Sequence, residues 1–141
     1  RVDLAKKIGS DGVHLGQSDG LVKQARQFLG NKSIIGVTCH DSRDLAVSAA
    51  KEGANYVAFG SIYNSQTKPP KIFCNIEVLE RWSSISEVPC VAIGGIDQFN
   101  CGPLVKANVD FIAVCASVWL HPEGPKLGIS KLNATIIDSL D

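Results

Sequence analysis

The sequence has no methionine, no long hydrophobic run and no excess of charge of either sign. Its 14 Lys and Arg residues balance 14 Asp and Glu residues, so the chain carries no positive field that attracts nucleic acid or anionic membranes. No apolar run approaches the ~20 residues that span a bilayer, and the first residues lack the apolar core of a signal peptide. We therefore expect a cytoplasmic protein without nucleic-acid or membrane partners. Because an initiator methionine is absent, we also expect that these residues are not a whole gene product.

The cysteines are few, and their spacing matches no disulfide or metal-binding motif. The chain has five, with no CxxC pair: Cys39, Cys74, Cys90, Cys101 and Cys115. An odd, scattered set argues against a disulfide framework or a zinc site. The remaining composition, 45% hydrophobic and 20% charged, is ordinary for a globular protein, and 141 residues suit a single domain over residues 1–141.

Five short apolar runs rich in β-branched and aromatic residues predict five strands. They lie at residues 12–15, 34–37, 56–59, 90–93 and 111–114. Their near-continuous hydrophobicity is typical of strands that are covered on both faces, which favours a parallel sheet. Segments with helical spacing lie between them, for example after Ser42 and after Pro103. The predicted order is therefore a βα unit repeated five times.

A short pattern repeats before three of these strands, at residues 8–13, 52–57 and 107–112. In each copy a Gly or Asn ends a helix in the left-handed conformation, and a polar turn leads into the strand. We expect these residues, with Asp11, Asn55 and Asp110 in the turns, to have a structural role.

Repeated βα units form either an open doubly wound sheet or a closed barrel. Polar residues follow every predicted strand, and a site built from all successive strand ends requires a ring, whereas an open sheet places its ligand at one switch point. The sequence therefore predicts an α/β fold of the (β/α)8 TIM-barrel class. Five units in 141 residues average roughly 28 residues each, so eight would need about 225. We expect this chain to supply the last five units, since a helix at 132–140 ends it and the missing units would precede Arg1.

The first predicted strand is followed by an amide and a carboxylate, Gln17 and Asp19. Asp19 suits a hard cation such as Mg²⁺, which binds few protein carboxylates together with substrate phosphate oxygens. The local sequence favours a different role, a helix N-cap, because Gly20 and a helical stretch follow. His14 is expected to be buried and not to bind a metal.

The second strand ends with a hydroxyl, a thiol and an imidazole. Thr38 and His40 are predicted to lie on one face of the extended segment, with Cys39 on the other, because side chains alternate. This disfavours a Cys/His nucleophilic pair. His40 stays open as a proton donor or as a polar wall of the site.

The longest loop lies between the third and fourth strands. Strand starts are 20 to 22 residues apart elsewhere but 34 apart here, and the surplus lies at residues 60–70, which include Thr67 and Lys68. Hydroxyls and a lone Lys at the carboxyl end of a strand suit phosphate binding, and such loops also serve as lids. A solvated polar loop without a ligand is the equal alternative.

The last two strands are followed by small residues. Gly94 and Gly95 let backbone N–H groups approach an oxyanion closely, and Cys115 to Ser117 follow the last strand. Barrel phosphate sites commonly use the loops after strands seven and eight. Together the two loops predict a phosphate cradle.

Four motifs occur in the order in which one enzyme family has them. They are GVHLGQSD at 12–19, GVTCH at 36–40, GSIYNSQTK at 60–68 and VAIGGI at 91–96. In this order they resemble thiamine phosphate synthase, and WLHPEGP at 119–125 looks like the tail of its alphaproteobacterial members. The resemblance covers nearly the whole chain. It implies a (β/α)8 barrel that joins a hydroxymethylpyrimidine diphosphate to a thiazole phosphate and releases pyrophosphate with Mg²⁺.

The resemblance also implies roles for single residues. Asp19 matches the Mg²⁺ ligand, and Lys68 matches the lysine that contacts the diphosphate. Thr67 matches a hydroxyl contact to the thiazole phosphate, Thr38 a hydroxyl near the diphosphate, and Gly95 an amide donor to phosphate. A metal and an ammonium neutralise charge on the departing diphosphate, so positioning and electrostatics account for most of the rate and no protein nucleophile is required.

Three departures from the family pattern affect the expected site. A second acidic metal ligand and a basic diphosphate motif of the family align before Arg1, so we expect these residues alone to be catalytically poor. Ser61 stands where Pro or Ala is usual, and residues 63–65 are Tyr-Asn-Ser where Phe-Pro-Thr is common. Residues 115–117, Cys-Ala-Ser, replace the usual Ser-containing phosphate turn.

Two other functions stay open on the sequence. A thiazole tautomerase-like paralogue also has a His at the position matching His40, but it usually lacks the Gln-x-Asp and Thr-Lys motifs. A non-catalytic thiamine-phosphate-binding or degenerate domain is favoured by the missing front end and the altered last turn. Gln17, Asp19, Thr67 and Lys68 favour the synthase. The expected partners are small-molecule substrates, and a homo-oligomer is left open.

Overall fold

A computed structural model describes residues 1–65, 67 and 69–140, and its helices and strands alternate up to the last two elements, which are both helices. In chain order the elements are α1 (Val2–Ile8), β1 (Gly12–Leu15), α2 (Val22–Leu29), β2 (Ile34–His40), α3 (Arg43–Lys51), β3 (Tyr56–Phe59), α4 (Ile76–Ile85), β4 (Cys90–Ile93), α5 (Gly102–Lys106), β5 (Phe111–Ala113), α6 (Ala116–Trp119) and α7 (Pro125–Asp138).

All five predicted strands are present, with small differences in their bounds. β2 runs on to His40, and β5 ends one residue early, at Ala113. The last helix begins at Pro125 and not at residue 132, because proline at the first helical position has a suitable φ and no N–H to satisfy. Ser42 caps α3 as its motif predicts, accepting a hydrogen bond from the Leu45 amide at 3.2 Å.

The strands form one parallel sheet in the order β1-β2-β3-β4-β5. Neighbouring strands are also neighbours in sequence, so the described sheet has no switch point of the doubly wound kind. This order confirms the succession of βα units that a barrel requires. Because parallel crossover connections are right-handed, successive helices lie on the same face of the sheet.

The hydrophobic core lies between that face and the helices. Its most buried side chains are at most 3% exposed and come from both layers: Leu15, Ile35, Val57, Phe59, Cys90, Ala46, Leu79, Trp82 and Leu104. Phe59 and Trp82 meet edge to face, with ring centroids 5.7 Å apart. Trp82 also donates its indole N–H to the Val88 carbonyl at 2.8 Å, so its polar atom is satisfied inside the core.

The opposite face of the sheet is open, which differs from the expectation that both faces are covered. Ile34 in β2 is 50% exposed and Phe111 in β5 is 59% exposed. The reason is geometric, since right-handed crossovers that always step in the same direction along the sheet place the helices on one face only. In a closed barrel this second face lines the interior, so its apolar side chains belong to a barrel core.

The repeated helix-to-strand joints are confirmed. Gly9, Gly53 and Asn108 all have positive φ, at 66°, 91° and 54°. Two of the polar turn residues receive an amide from a neighbouring strand, since Asn55 accepts from the Ile35 N–H and Asp110 from the Cys90 N–H, both at 2.8 Å. Their role is therefore structural.

The cysteines are free thiols, and four of the five are buried. Burial raises the pKa of Cys39 to about 11 and that of Cys74 to about 12. These two thiols stay protonated at neutral pH and are poor nucleophiles. None of the described helices has both the length and the apolar character that crossing a membrane requires.

Candidate active site

Three strands bring polar side chains together around Thr38. The imidazole of His14 lies between two hydroxyls, with Nε2 2.7 Å from Thr38 Oγ1 and Nδ1 2.9 Å from Tyr56 Oη. Gln17 donates its side-chain N–H to the backbone carbonyl of Thr38. We name His14, Gln17, Thr38 and Tyr56 the Thr38 cluster. The structure thus unites two residues that the sequence singled out, Gln17 and Thr38, and adds Tyr56.

A glycine explains how His14 and Tyr56 meet across an intervening strand. His14 pairs with Gly36, and Gly36 pairs with Tyr56, so the three residues form one row across β1, β2 and β3. A Cβ at Gly36 would lie 1.9 Å from Cζ of Tyr56. The Tyr56 ring therefore occupies the space of the missing side chain and stacks on His14, with centroids 5.5 Å apart. A glycine inside a strand marks such a close approach, and this was the available sequence signal.

His14 is exposed, and the expectation that it is buried is wrong. It points to the open face of the sheet, as its pairing with Gly36 and Tyr56 requires. Partial burial of the ring still lowers the pKa of His14 below its ordinary value, while the charge of Asp19 acts in the opposite direction and raises it. The ring is therefore neutral at pH 7, with one nitrogen donating and the other accepting.

Asp19 is not a helix cap, contrary to the interpretation that the local sequence favours. The N-cap of α2 is Leu21, and no side chain caps it. Asp19 instead closes a turn, in which its Oδ2 accepts from the Gly16 N–H at 2.7 Å and its own N–H donates to the Gly16 carbonyl at 3.1 Å. The carboxylate is exposed at the carboxyl end of β1, where a ligand can reach it.

The donor set around Asp19 fits a magnesium ion held largely by substrate. Within the described part of the chain no group of three or more His, Cys, Asp or Glu side chains is placed to hold a metal. Mg²⁺ often uses only one or two protein carboxylates and takes its other ligands from water and phosphate oxygens. Asp19 therefore fits as a single protein ligand and not as part of an all-protein cage.

The effect of the Asp19 charge on the pKa of His14 should be measurable. Asp19→Asn is expected to lower the pKa of His14 further, because the variant removes the carboxylate charge that raises it and leaves the effect of burial. The measurement is a pH titration of the His14 ring protons by NMR. Asp11→Asn is the matched control and should leave the His14 pKa where it is. An unchanged or higher pKa in Asp19→Asn would show that the two groups do not interact.

A cavity of about 750 Å³ lies beyond the ends of β4 and β5. We call it the glycine cavity. Its wall contains five residues that the sequence predicted for substrate binding: Thr67, Gly94, Gly95, Cys115 and Ser117. The volume lies in the range of pockets that hold small molecules. Residues from three separate loops thus line one cavity, and their role in binding phosphate stays a prediction.

Close packing of two loops explains why positions 94 and 95 are glycines. Gly94 and Gly95 have φ values of 99° and 65°, in the region that side chains rarely adopt. A Cβ would lie 2.0 Å from Ser61 Oγ at Gly94, and 2.2 Å from the Asn64 carbonyl oxygen at Gly95. Tyr63 also donates its N–H to the Gly94 carbonyl at 3.0 Å. The glycines thus let the loop after β3 pack on the loop after β4.

The wall of the glycine cavity contains a buried polar atom without a hydrogen-bond partner among the described residues, the hydroxyl oxygen of Ser117. Buried hydroxyls are nearly always paired, so this atom is suited to a ligand or an ordered water. Its position in α6, after the Cys115-Ala116 departure from the family pattern, keeps a hydroxyl at this end of the cavity.

His40 does not follow the regular alternation that the sequence interpretation assumed. The pairing of β2 with β3 shifts between Thr38 and His40, and His40 has a φ of 54°. A bulge of this kind interrupts the period of two, so the common face of Thr38 and His40 cannot be derived from alternation. Cys39, between these two residues, is fully buried.

The chain after β3 contacts both the end of β2 and the loop after β4. Gly60 donates its N–H to the His40 carbonyl at 3.0 Å, and the next residue, Ser61, packs against Gly94. Lys68 lies outside the described residues, so its contact with the diphosphate stays a prediction. Thr67, its neighbour in sequence, lines the glycine cavity.

Comparison with known proteins assigns the family. A family model described as thiamine monophosphate synthase matches residues 1–118. The chain belongs to this family. Thiamine-phosphate synthase from Rhodospirillum centenum is 50% identical over 133 residues, which are 94% of this chain and 64% of that protein. Its counterpart from Erythrobacter litoralis is 52% identical over 124 residues, which are 86% of this chain and 58% of that protein.

A solved structure agrees with the thiamine monophosphate synthase assignment. Thiamine phosphate pyrophosphorylase from Pyrococcus furiosus matches with a TM-score of 0.85 and 30% identity, over 100% of this chain and 66% of that one. The chain therefore has the parallel α/β fold of the thiamine monophosphate synthase family. It spans 64% and 58% of the length of the two curated relatives named above.

Proposed function

We propose that this chain contributes the site at which a hydroxymethylpyrimidine diphosphate is joined to a thiazole phosphate to give thiamine phosphate and pyrophosphate. One observation carries the proposal. Gln17 and Asp19 directly after β1, Thr38 near the end of β2 and the glycine cavity beyond β4 and β5 lie along the carboxyl-end edge of one parallel sheet, with β3 between them. Two anionic groups can therefore bind at separate polar sites along this edge of the sheet, as a reaction between two phosphorylated substrates requires. The names of the curated relatives support the same reaction.

The two sites divide the binding of the substrates between them. We assign the diphosphate to the side of Thr38 and Asp19, where a hydroxyl that is hydrogen-bonded to His14 and a carboxylate for a metal lie. We assign the thiazole phosphate to the glycine cavity, where Thr67, Gly95 and the unpaired hydroxyl of Ser117 line the wall. Gln17 serves the first site by holding the Thr38 backbone.

The chemistry needs no nucleophile from the protein. The C–O bond between the pyrimidine methylene and the diphosphate breaks, and its electron pair leaves with the diphosphate oxygen. The lone pair of the thiazole ring nitrogen then forms the new C–N bond, so atoms and electrons balance without a proton transfer. The task of the chain is to position two substrates and to stabilise the charge of the leaving group. The absence of a reactive thiol at Cys39 agrees with this assignment.

We assign Asp19 and Lys68 to the stabilisation of negative charge on the leaving diphosphate. A Mg²⁺ ion held at Asp19 would supply positive charge to the departing diphosphate when bound. The ammonium of Lys68, adjacent in sequence to Thr67, adds a second positive charge. His40 belongs to the same proposal as a polar wall between the two sites, through its contact with Gly60. The proposal includes Mg²⁺, a cytoplasmic location and small molecules as the partners.

Formation of thiamine phosphate tests the proposal. The protein is incubated in excess with both substrates and Mg²⁺, and thiamine phosphate and pyrophosphate are quantified by mass spectrometry. We expect the two products in equal amounts, and no product when either substrate or Mg²⁺ is omitted. A folded protein that forms no thiamine phosphate under these conditions would contradict the proposed function.

A further inference from the structure

We propose that Tyr56 and His14 are positioning residues that hold the hydroxyl of Thr38 as a hydrogen-bond donor toward the diphosphate. The inference rests on the proposed function, because it takes the diphosphate as the group that Thr38 meets. It adds a residue, Tyr56, that lies at the start of β3, away from the motifs of the site.

The geometry is an unbroken line of three polar groups. Tyr56 Oη lies 2.9 Å from Nδ1 of His14, and Nε2 of the same ring lies 2.7 Å from Thr38 Oγ1. The line exists because Gly36 leaves room for the Tyr56 ring in the row between β1 and β3. Stacking of the two rings, with an interplanar angle of 29°, restrains the orientation of His14.

The direction of the donors follows from what each group can offer. A diphosphate oxygen only accepts hydrogen bonds, so the single proton of the Thr38 hydroxyl must point to it. The oxygen of Thr38 then accepts from Nε2–H of His14. A neutral imidazole has one donor and one acceptor, so Nδ1 accepts, and the phenol of Tyr56 donates to it. One tautomer of His14 satisfies the whole line.

The protonation of both rings supports this direction. Burial raises the pKa of Tyr56, so its hydroxyl keeps the proton that it donates. Burial lowers the pKa of His14, so its ring keeps an acceptor nitrogen at neutral pH. Gln17 holds the Thr38 carbonyl as well, so the backbone and the side chain of Thr38 are fixed by different partners.

Tyr56→Phe tests the inference, because it keeps the ring over Gly36 and removes only the hydroxyl. We expect the Nε2–H tautomer of His14 to lose population, measured by ¹⁵N NMR of the imidazole. We also expect binding of inorganic pyrophosphate with Mg²⁺ to weaken about five- to tenfold, as the loss of one hydrogen bond predicts. The KM for the pyrimidine diphosphate should rise by a similar factor, and the KM for the thiazole phosphate should stay constant.

Tyr63→Phe is the matched control for the tautomer. Its hydroxyl donates to the Asn100 carbonyl at 2.9 Å, outside the Thr38 cluster, so its loss should leave the His14 signals unchanged. Gly36→Ala is a second variant, in which the added methyl displaces the Tyr56 ring and should produce the same tautomer change.

The outcomes separate this inference from the proposed function. A changed tautomer together with weaker pyrophosphate binding supports the positioning role, even if the protein forms no thiamine phosphate and the proposed function fails. An unchanged tautomer in Tyr56→Phe overturns the positioning role. Unaltered pyrophosphate affinity in that variant, or no affinity in the parent chain, overturns the donor role of Thr38.

Discussion

Asp19→Asn is expected to slow thiamine phosphate formation by about 100-fold or more, the scale on which removal of one stabilising group acts in preorganised sites. The side chain keeps its shape and one acceptor oxygen for the Gly16 N–H, so the turn at residues 16–19 should persist. What is lost is the charge that would hold Mg²⁺ near the departing diphosphate. The measurement is the single-turnover rate with protein in excess over both substrates.

Two further measurements make the Asp19 result specific. Mn²⁺, used in place of Mg²⁺, should broaden the amide signals of residues 16–19 in the parent chain and not in Asp19→Asn. Asp11→Asn removes a nearby charge from a residue before β1 and should keep the parent rate. Equal rates in Asp19→Asn and the parent chain would remove the metal role from Asp19.

Lys68→Ala is expected to reduce the rate on the same scale, because an ammonium is lost from the leaving-group side. The expectation comes from the sequence motif alone, since residue 68 lies outside the described residues. Asp19 and Lys68 are both assigned to the charge of the leaving diphosphate. If both contact the same diphosphate, the loss of rate in the double variant should be smaller than the two single losses combined.

Phe59→Ala is expected to lower the free energy of unfolding by about 3–5 kcal/mol, the usual cost of removing a large aromatic side chain from a core. Phe59 is fully buried and meets Trp82 edge to face. It lies at the end of β3, immediately before the glycine that contacts His40. Urea unfolding followed by the fluorescence of the buried Trp82 measures the effect.

Phe99→Ala is the control for the loss of a phenyl ring as such. Phe99 is 87% exposed, so its removal should change the free energy of unfolding by only about 0.5 kcal/mol. If Phe59→Ala proved as mild as Phe99→Ala, the packing of β3 against α4 would not be the core that the burial indicates.

The sequence predicted the five strands because a short β-branched run between turn signals has few alternative structures. It also predicted the joints, since the left-handed conformation strongly favours Gly or Asn, as Gly9, Gly53 and Asn108 confirm. Polar residues after each strand led to the right conclusion about strand order, because the carboxyl ends of parallel strands share one edge.

Local patterns failed where a residue's environment comes from another strand. The local sequence predicts that Asp19 is a helix cap, because Gly20 and a helix follow. In the structure its carboxylate instead accepts a hydrogen bond from the Gly16 N–H. The apolar neighbours of His14 predict that it is buried, but it lies exposed on the open face of the sheet. The alternation at His40 fails because a bulge depends on pairing with β3, which no local pattern contains.

The sequence by itself determined the βα units, their helix-to-strand joints and the residue types at the strand ends, because these depend on short-range sterics and hydrophobic patterning. Only the tertiary structure decided which of these residues touch. The row from His14 through Gly36 to Tyr56 joins residues 42 positions apart in sequence, and it arises from strand register and from the space that one missing side chain leaves.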